Sequence, residues 1–250
     1  VTGLVVQDTA LYWSGFGQAV ILMLIQIGGM GVVTVAVALN QIAGRKIGLS
    51  SRFFLQESMG APQLGGIIRM LRFILRTMLA MEGIGACLFA IRFIPDYGLL
   101  RGTWYSIFHA ISAFCNAGFD LMGMRAPFSS LTAYVSDPLV SLTICMLIII
   151  GGLGFAVWGD IRHNRRFTRM SVYTRLVILI TTVLIFGGAG IFAALEWNNP
   201  GTLGGLTPSQ KLMAALFQSV TLRTAGFATF DQNALSDISK AVADFLMLVG

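Results

Sequence analysis

Charged residues are scarce in this sequence. Asp, Glu, Lys and Arg make up only 11% of its 250 residues, whereas hydrophobic residues make up 56%. A soluble domain carries roughly 25% charged residues, so a chain of this composition has too little charge to keep its surface in water. The hydrophobic residues also come in long runs, which is typical of membrane-spanning segments. The composition therefore excludes an ordinary soluble domain and predicts an integral membrane protein.

Cysteines and catalytic motifs are also scarce. None of the three cysteines belongs to a CxxC pair, which argues against a disulfide framework and a metal site; they are Cys87, Cys115 and Cys145. The sequence has no P-loop, no HExxH motif and no paired carboxylates at one membrane face. Neither ATP hydrolysis nor a membrane enzyme is predicted, and no cofactor is expected. The net charge of +6 is interpreted as a topology signal and not as affinity for nucleic acid.

Long apolar runs predict membrane-spanning helices, because about 20 apolar residues are needed to cross a ~30 Å hydrocarbon core. They cover residues 16–39, 65–94, 139–158 and 176–195, and a fifth begins near residue 241 and ends, incomplete, at Gly250. Since the first residue is Val1 and the last lies in an apolar run, we expect a fragment. Two shorter segments, 104–114 and 211–222, predict re-entrant helices. Thr207 and Pro208 are typical of the start of the second.

Basic residues are concentrated in two loops. Six lie between residues 40 and 76 and five between residues 159 and 175, which predicts that both loops are cytoplasmic. The short helices then lie on the outer side, together with a set of acidic residues. We expect these carboxylates to form an acidic outer rim that concentrates cations; they are Asp8, Asp96, Asp120, Asp137, Glu196, Asp231 and Asp237.

The order of segments is repeated along the chain. From residue 65, and again from residue 171, a long helix, a short helix, an Ala-Gly-Phe triplet and a second long helix are predicted. The triplets are 117–119 and 225–227, and residues 1–4 occupy the same place at the beginning. A single Ala-Gly-Phe is usually an ordinary turn, but its recurrence in a repeated membrane unit indicates a function.

A loop of this kind suits the conduction of cations. A cation that loses its water in the membrane needs replacement oxygens, and channel filters supply backbone carbonyls after a half-membrane helix. Glycine permits the unusual dihedrals and the close approach of backbone that such a loop requires. We expect Arg223 to bond the loop carbonyls and support the filter from behind. The candidate filter residues are Val1, Thr2, Gly3, Leu4, Asn116, Ala117, Gly118, Phe119, Thr224, Ala225, Gly226 and Phe227.

The expected fold class is an all-α membrane protein of repeated helix, pore helix, filter loop and helix units. Part of repeat 1, all of repeat 2 and most of repeat 3 are present. The filter and second helix of repeat 1 cover 1–40, cytoplasmic loops cover 41–64 and 159–170, repeat 2 covers 65–158, and a truncated repeat 3 covers 171–250.

Four further features have open interpretations. Gly28 to Gly31 and Gly151 to Gly154 are interpreted as helix-packing surfaces and not as gates. Arg69, Arg72 and Arg76 share one helical face and either snorkel to the inner interface or bind anionic lipid or a cytoplasmic partner. Glu82 and Asp244 are functional candidates because they are ionisable residues in membrane segments, although neither has an evident partner. His109 is expected to be a packed, hydrogen-bonded histidine and not a metal ligand.

The motifs at the loops resemble one known family. Three segments are similar to the Trk/Ktr/HKT superfamily of potassium transporters: residues 1–9, residues 108–119 and Arg223-Thr224-Ala225-Gly226-Phe227. Gln26-Ile27-Gly28-Gly29 and the loop around Lys46 are most similar to its bacterial Ktr branch. The resemblance covers essentially the whole chain. It implies four pseudo-repeats around one pseudo-fourfold pore, with the fourth filter and a gating loop beyond Gly250.

The resemblance also implies a function and partners. It implies potassium uptake across the plasma membrane, which is the cell inner membrane in a bacterium. K⁺ is expected to be held only at filter carbonyls, and stimulation of uptake by sodium is left open. A glycine at position 3 resembles the potassium-selective branch. The implied assembly is a homodimer in membrane lipid, bound to a cytoplasmic ring of nucleotide-binding RCK-type regulatory subunits. The alternative is a membrane subunit of an ion-pumping complex that does not itself conduct.

Overall fold

The computed structural model describes residues 3–31, 35 and 67–249, and these residues form helices joined by loops, with no β-strand among them. The α-helices are α1 Thr9–Tyr12, α2 Gly15–Met30, α3 Ile67–Tyr97, α4 Leu99–Phe114, α5 Pro138–Gly152, α6 Phe155–His163, α7 Val172–Glu196, α8 Pro208–Thr221 and α9 Asp237–Val249. Short 3₁₀ turns occur at Met122–Met124, Thr132–Tyr134, Phe167–Arg169 and Gln232–Ala234. The residues outside this description are 1–2, 32–34, 36–66 and 250. They include the whole of the predicted loop 41–64 and part of the predicted segment 1–40.

Two of the described helices are long and apolar enough to cross a membrane. They are the 29 residues of α3 from Arg69 to Tyr97 and the 25 residues of α7. Both coincide with predicted spans, 65–94 and 176–195, and α5 with α6 makes a third if the bent pair is one span. These apolar helices fit a multi-pass membrane protein.

The predicted continuous helix over 139–158 is wrong. α5 ends at Gly152, α6 begins at Phe155, and the two helices are bent by 90°. Gly154 causes the break, because its φ of 85° belongs to a region that glycine enters freely and that a helix does not use. Gly31, the matching glycine of the first Ile-Gly-Gly-x-Gly motif, ends α2 with a φ of 81°. The last glycine of both motifs therefore terminates a helix.

The other glycines of these motifs confirm the packing interpretation in part. A β-carbon at Gly29 would collide with the side chain of Cys115, and one at Gly151 would collide with the carbonyl of Phe114. Gly28 has nothing within 4 Å of a β-carbon position. Gly29 and Gly151 thus allow α2 and α5 to approach the end of α4, whereas Gly28 has no such role among the described contacts.

The two short helices are confirmed as too short to cross a membrane, although both begin earlier than predicted. α4 has 16 residues and α8 has 14, which gives lengths of about 24 Å and 21 Å at 1.5 Å per residue. The predicted start of α8 is also confirmed, with Thr207 at the N-cap and Pro208 in the first turn. Gln210 strengthens it, since its Oε1 accepts a 3.0 Å hydrogen bond from the backbone N–H of Thr207.

Each short helix packs against a long one. α4 lies against α3, where Phe89 and Phe93 stack at 5.4 Å and Phe108 is fully buried beside them. α8 lies against α7, and a second apolar cluster there includes Phe192, Ala214 and Ala215. These contacts fix the direction of both short helices, and so they position the loops that follow them.

Candidate functional site

The three glycines at the candidate filter lie against one another. A β-carbon built on Gly3 would be 2.8 Å from the carbonyl oxygen of Gly226 and 2.9 Å from that of Gly118. One built on Gly118 would be 2.7 Å from the Cα of Gly3 and would collide with the carbonyl oxygen of Ala225. Real β-carbons do not approach other atoms so closely, so no larger residue fits here without movement of the backbone. Residues more than 200 positions apart in sequence thus meet at one point.

The backbone of these loops adopts left-handed conformations, which cost energy at the two positions that are not glycine. Gly3, Gly118 and Gly226 have φ values of 75°, 72° and 86°. Asn116 and Thr224, which stand two residues before the second and third glycines, also have positive φ, at 51° and 63°. Such a conformation costs roughly 1–2 kcal/mol for a residue with a side chain, and it is especially uncommon for a β-branched one. The same deviation at matching positions of two loops points to a functional constraint.

The carbonyl oxygens of these loops are not engaged by the described residues. Within the described part of the chain, no hydrogen bond is donated to the carbonyls of residues 116–118 or 224–226. Most buried carbonyls in proteins accept a hydrogen bond, so these six oxygens are available to an ion or to water. Their helices also end here, and the C-terminal end of a helix carries a partial negative charge. The arrangement can therefore coordinate a cation without any side chain.

One side-chain hydroxyl group binds the C-terminal end of each of the second and third loops. Ser112 Oγ donates to the carbonyl oxygen of Phe119 at 2.6 Å, and Thr221 Oγ1 donates to that of Phe227 at 2.7 Å. Both hydroxyls come from the last turn of a short helix. Sequence reasoning missed these residues, although a hydroxyl near the end of a short apolar helix is a signal that could have found them.

His109 fixes the same region from within α4. Its Nδ1 lies 2.7 Å from the carbonyl oxygen of Tyr105, and its Nε2 lies 3.3 Å from the backbone N of Leu121. Because a carbonyl can only accept, Nδ1 carries the hydrogen and Nε2 accepts from Leu121, which requires the neutral imidazole. The prediction of a packed, hydrogen-bonded histidine is confirmed, and its contact holds the segment two residues after Phe119.

Comparison with known proteins identifies the family. Residues 1–250 match the TrkH family, described as a cation transport protein. The chain is 43% identical over its whole length to the Ktr system potassium uptake protein B of Bacillus subtilis. It is 37% identical to the potassium/sodium uptake protein NtpJ of Enterococcus hirae and 36% identical to the Ktr system potassium uptake protein B of Vibrio alginolyticus, again over its whole length.

The chain belongs to the TrkH family. It spans about half the length of these curated relatives, covering 55% of the first and 54% of the other two. Membership confirms the resemblance to the Trk/Ktr/HKT superfamily of potassium transporters, and it places the chain in a family of cation transport proteins.

Arg223 lies beside the candidate filter loops of this TrkH-family chain, but it does not make the predicted hydrogen bonds. It lines a cavity of about 60 Å³ together with Asn116, Gly152 and Thr224. Its Nε is buried and has no hydrogen-bond partner among the described residues. The expected hydrogen bonds from Arg223 to loop carbonyls are therefore absent there, and a supporting role of Arg223 stays a prediction.

The predicted acidic outer rim is largely wrong. Glu196 is fully buried and accepts hydrogen bonds from Thr202, Ser236 and Ser239. Two other carboxylates form salt bridges with arginines. The N···O distance is 2.8 Å between Arg92 and Asp137 and 3.2 Å between Arg125 and Asp96. Asp96, Asp231 and Asp237 of the predicted set are exposed, and two of these lie next to a basic side chain, Asp96 at Arg125 and Asp237 at 3.9 Å from Lys240. Most of these residues hold loops together because a folded loop needs its N–H and O–H groups satisfied.

Asp8 illustrates this role next to the first candidate filter loop. It caps α1 by accepting from the backbone N–H of Ala10 and Leu11, and its Oδ2 accepts from that of Phe128 at 2.8 Å. A side chain at Gly123 would collide with this carboxylate. Asp8 therefore ties the segment after Gly3 to the loop that follows Gly118.

Glu82 has the partner that the sequence did not reveal. Both of its carboxylate oxygens accept from Gln26 Nε2, at 3.1 Å and 3.0 Å, and Cys115 Sγ lies 4.0 Å from one of them. Gln26 and Glu82 thus connect α2 and α3 directly behind the second loop. Asp244 is exposed and lines an open cavity of about 430 Å³ beside Gly3 and Gly226.

Proposed function

We propose that this chain forms part of a channel-like pore through which potassium ions cross the plasma membrane. The proposed filter consists of residues 116–119 and 224–227 with Gly3, Leu4, Val1 and Thr2, the last two lying outside the described residues. The observation that carries the proposal is the approach of Gly3, Gly118 and Gly226 to within van der Waals contact, in loops whose carbonyls accept no described hydrogen bond.

Potassium is the ion that this chemistry and the relatives favour. Backbone carbonyls replace the hydration shell of K⁺ in channel filters, so K⁺ is the cargo of the proposed pore and not a resident cofactor. The names of the relatives support the same ion, since the Bacillus and Vibrio proteins are potassium uptake proteins and the Enterococcus protein is a potassium/sodium uptake protein. Stimulation by sodium is compatible with the latter name.

The loops belong, in this proposal, to repeated units around a pseudo-fourfold pore. Two observations support the repeat. α3 packs on α4 as α7 packs on α8, and Gly31 and Gly154 end helices at matching places with nearly equal φ. The proposed units are those expected from the sequence, with repeat 2 at 65–158 and repeat 3 at 171–250. The intact protein would supply the fourth filter loop and the gating loop.

Partners are proposed from the same family relationship. The name Ktr system, carried by two of the relatives, supports a membrane subunit that works with a further component. We propose that the component is a cytoplasmic RCK-type nucleotide-binding subunit and that the membrane subunit is a homodimer. A physical association of the purified subunits tests both statements.

The experiment that tests the function uses the intact protein that contains this chain. Expressed in cells that lack potassium uptake, it should restore growth at low potassium, and in vesicles it should accumulate rubidium. Growth and rubidium accumulation that depend on the expressed protein would support the proposal. An unaltered, membrane-inserted protein without flux would instead favour a non-conducting subunit of an ion-pumping complex.

A further inference from the structure

Four arginines from two helices surround one cavity at the N-terminal end of α3. Arg69, Arg72 and Arg76 lie along one face of α3, and Arg162 of α6 completes the set around a space of about 540 Å³. The guanidinium of Arg162 stands 4.6 Å from the centre of the Phe73 ring, a cation–π contact that connects α6 to α3. The arginines are therefore brought together by the fold and are not merely neighbours in sequence.

No carboxylate among the described residues neutralises this cavity. The ion pairs of the described chain involve Arg92, Arg125 and Lys240, and none of the four arginines. Asp160 is near Arg162 in sequence, but its carboxylate accepts from Asn164 Nδ2 and from the backbone N–H and Oγ of Ser171. Four guanidinium groups around a space of this size favour an anion with several oxygens, because guanidinium forks match phosphate geometry.

A second, apolar cavity adjoins the first. Its volume is about 230 Å³, and the atoms exposed in it are apolar. The residues that line this cavity but not the basic one are Ile150, Trp158 and Ile161. It shares Arg162 and Phe73 with the basic cavity. A ligand that occupies both spaces must have an anionic group and a hydrocarbon portion.

The two cavities have the positions that a lipid would require. The 31 residues of α3 extend about 46 Å, well beyond a ~30 Å hydrocarbon core, so one end of the helix reaches the headgroup region. α6 turns by 90° from α5 at this level, which lets it lie along the membrane surface. Ile161 is exposed on α6, whereas Trp158 is buried against Phe114 and Phe155 and forms the floor of the apolar cavity. Basic residues at the cytoplasmic face attract anionic lipids.

We propose that Arg69, Arg72, Arg76 and Arg162 bind the phosphate of an anionic phospholipid, with one acyl chain in the apolar groove formed by Ile150, Trp158 and Ile161. A free phosphate or a nucleotide shares the anionic chemistry, but it has no use for the apolar groove. The site is separate from the filter loops, so the proposal does not depend on the ion that the pore carries.

The test measures lipids retained by the intact transporter. The protein is purified from nanodiscs of phosphatidylcholine containing phosphatidylglycerol, and bound phosphatidylglycerol is counted by native mass spectrometry. Each arginine near a membrane surface contributes an attraction that corresponds to about fivefold in binding. Arg72→Gln and Arg162→Gln should each reduce retention about fivefold, and the double variant should reduce it further. Ile161→Ser should also weaken retention, because it makes the groove polar.

The matched control removes the same charge outside the cavity. Arg165 and Arg166 belong to the same basic segment but do not line the cavity, so Arg165→Gln and Arg166→Gln should reduce retention much less than the site variants. Equal losses in the control and the site variants would overturn the proposal in favour of a diffuse surface charge. Displacement of the lipid by millimolar inorganic phosphate, with Ile161→Ser having no effect, would overturn it in favour of a free anion site. Arg72→Lys keeps the charge and should retain more lipid than Arg72→Gln, which guards against a folding artefact.

Discussion

Ser112 Oγ donates a 2.6 Å hydrogen bond to the carbonyl oxygen of Phe119, the residue directly after Gly118. Thr221 does the same for Phe227 after Gly226, at 2.7 Å. The two hydroxyls are not at matching positions of the repeat, since Ser112 precedes its aromatic residue by seven positions and Thr221 by six. The same contact is thus reached from different turns of the helix, which indicates that the loop geometry requires it.

Ser112→Ala tests this contact. Removing the donor leaves the carbonyl of Phe119 without its partner, which costs about 1–3 kcal/mol at a buried group. We expect a weaker preference for potassium over sodium in rubidium and sodium uptake, at near-normal expression. Ser106→Ala is the control, because Ser106 is buried on the same helix and donates at 2.7 Å to Gly102 within α4. If both variants keep the ion ratio of the unaltered protein, the hydroxyl does not support the filter.

Gly118→Ala tests the close approach of the loops. Its β-carbon would collide with the carbonyl oxygen of Ala225 in a backbone of positive φ. We expect potassium uptake to fall at least tenfold while the protein still reaches the membrane. Gly98→Ala separates collision from backbone strain, since Gly98 also has a positive φ, of 79°, but nothing lies within 4 Å of its β-carbon position. Equal loss of uptake in the two variants would assign the effect to strain alone.

Gly3→Ser tests the first loop. The serine β-carbon would lie 2.8 Å from the carbonyl oxygen of Gly226 and 2.9 Å from that of Gly118, so the loops must move apart. Because carbonyl spacing and number determine the preference for K⁺, we expect poorer discrimination against sodium. The measurement is the ratio of the two ions in competition uptake. An unchanged ratio would remove Gly3 from the filter.

The features predicted well from sequence are those determined locally. The alternation of long and short helices follows from the length of apolar runs, and the start of α8 follows from Thr207 and Pro208. The break between α5 and α6 was missed because the apolar run continues through Leu153 and Gly154, and hydrophobicity alone does not register a change of direction. A glycine in an apolar run can indicate close packing, as at Gly151, or a bend of the chain, as at Gly154.

The features predicted poorly depend on residues distant in sequence. Glu82 lacked an evident partner because Gln26 is 56 residues away. The acidic residues of the outer side were interpreted by charge, whereas their structural role follows from which N–H and O–H groups the loops bring to them. The positive φ of Thr224 contradicts its local preference, since a β-branched residue resists that conformation. Such disagreements between local preference and structure are expected at functional sites.

Glu196→Gln tests the buried carboxylate at the end of α7. Glu196 accepts five hydrogen bonds, from Asn199, Thr202, Ser239 and the N–H and Oγ of Ser236. The amide replaces one acceptor by a donor that faces other donors, so we expect a loss of about 3 kcal/mol in the free energy of unfolding. Thermal unfolding in detergent measures it. Asp231→Asn is the control, because Asp231 is exposed and asparagine caps a turn as well as aspartate. A Tm as high as that of the control would contradict the role of Glu196.

Asp120→Asn tests the pH dependence of the outer loop. Burial raises the pKa of Asp120 from 3.8 to about 6, and the nearby carboxylate of Asp8 adds to this, against a hydrogen bond from the backbone N–H of Met122. The folded protein therefore holds this proton more tightly than the unfolded chain does. Its contribution to stability is complete below pH 3.8 and is lost as the pH rises through about 6. We expect the change in Tm between pH 5 and pH 7.5 to be smaller in Asp120→Asn, since the amide does not titrate. An identical change in both proteins would show that the pKa of Asp120 in the folded protein does not lie between these two pH values, which would contradict the role assigned to its burial.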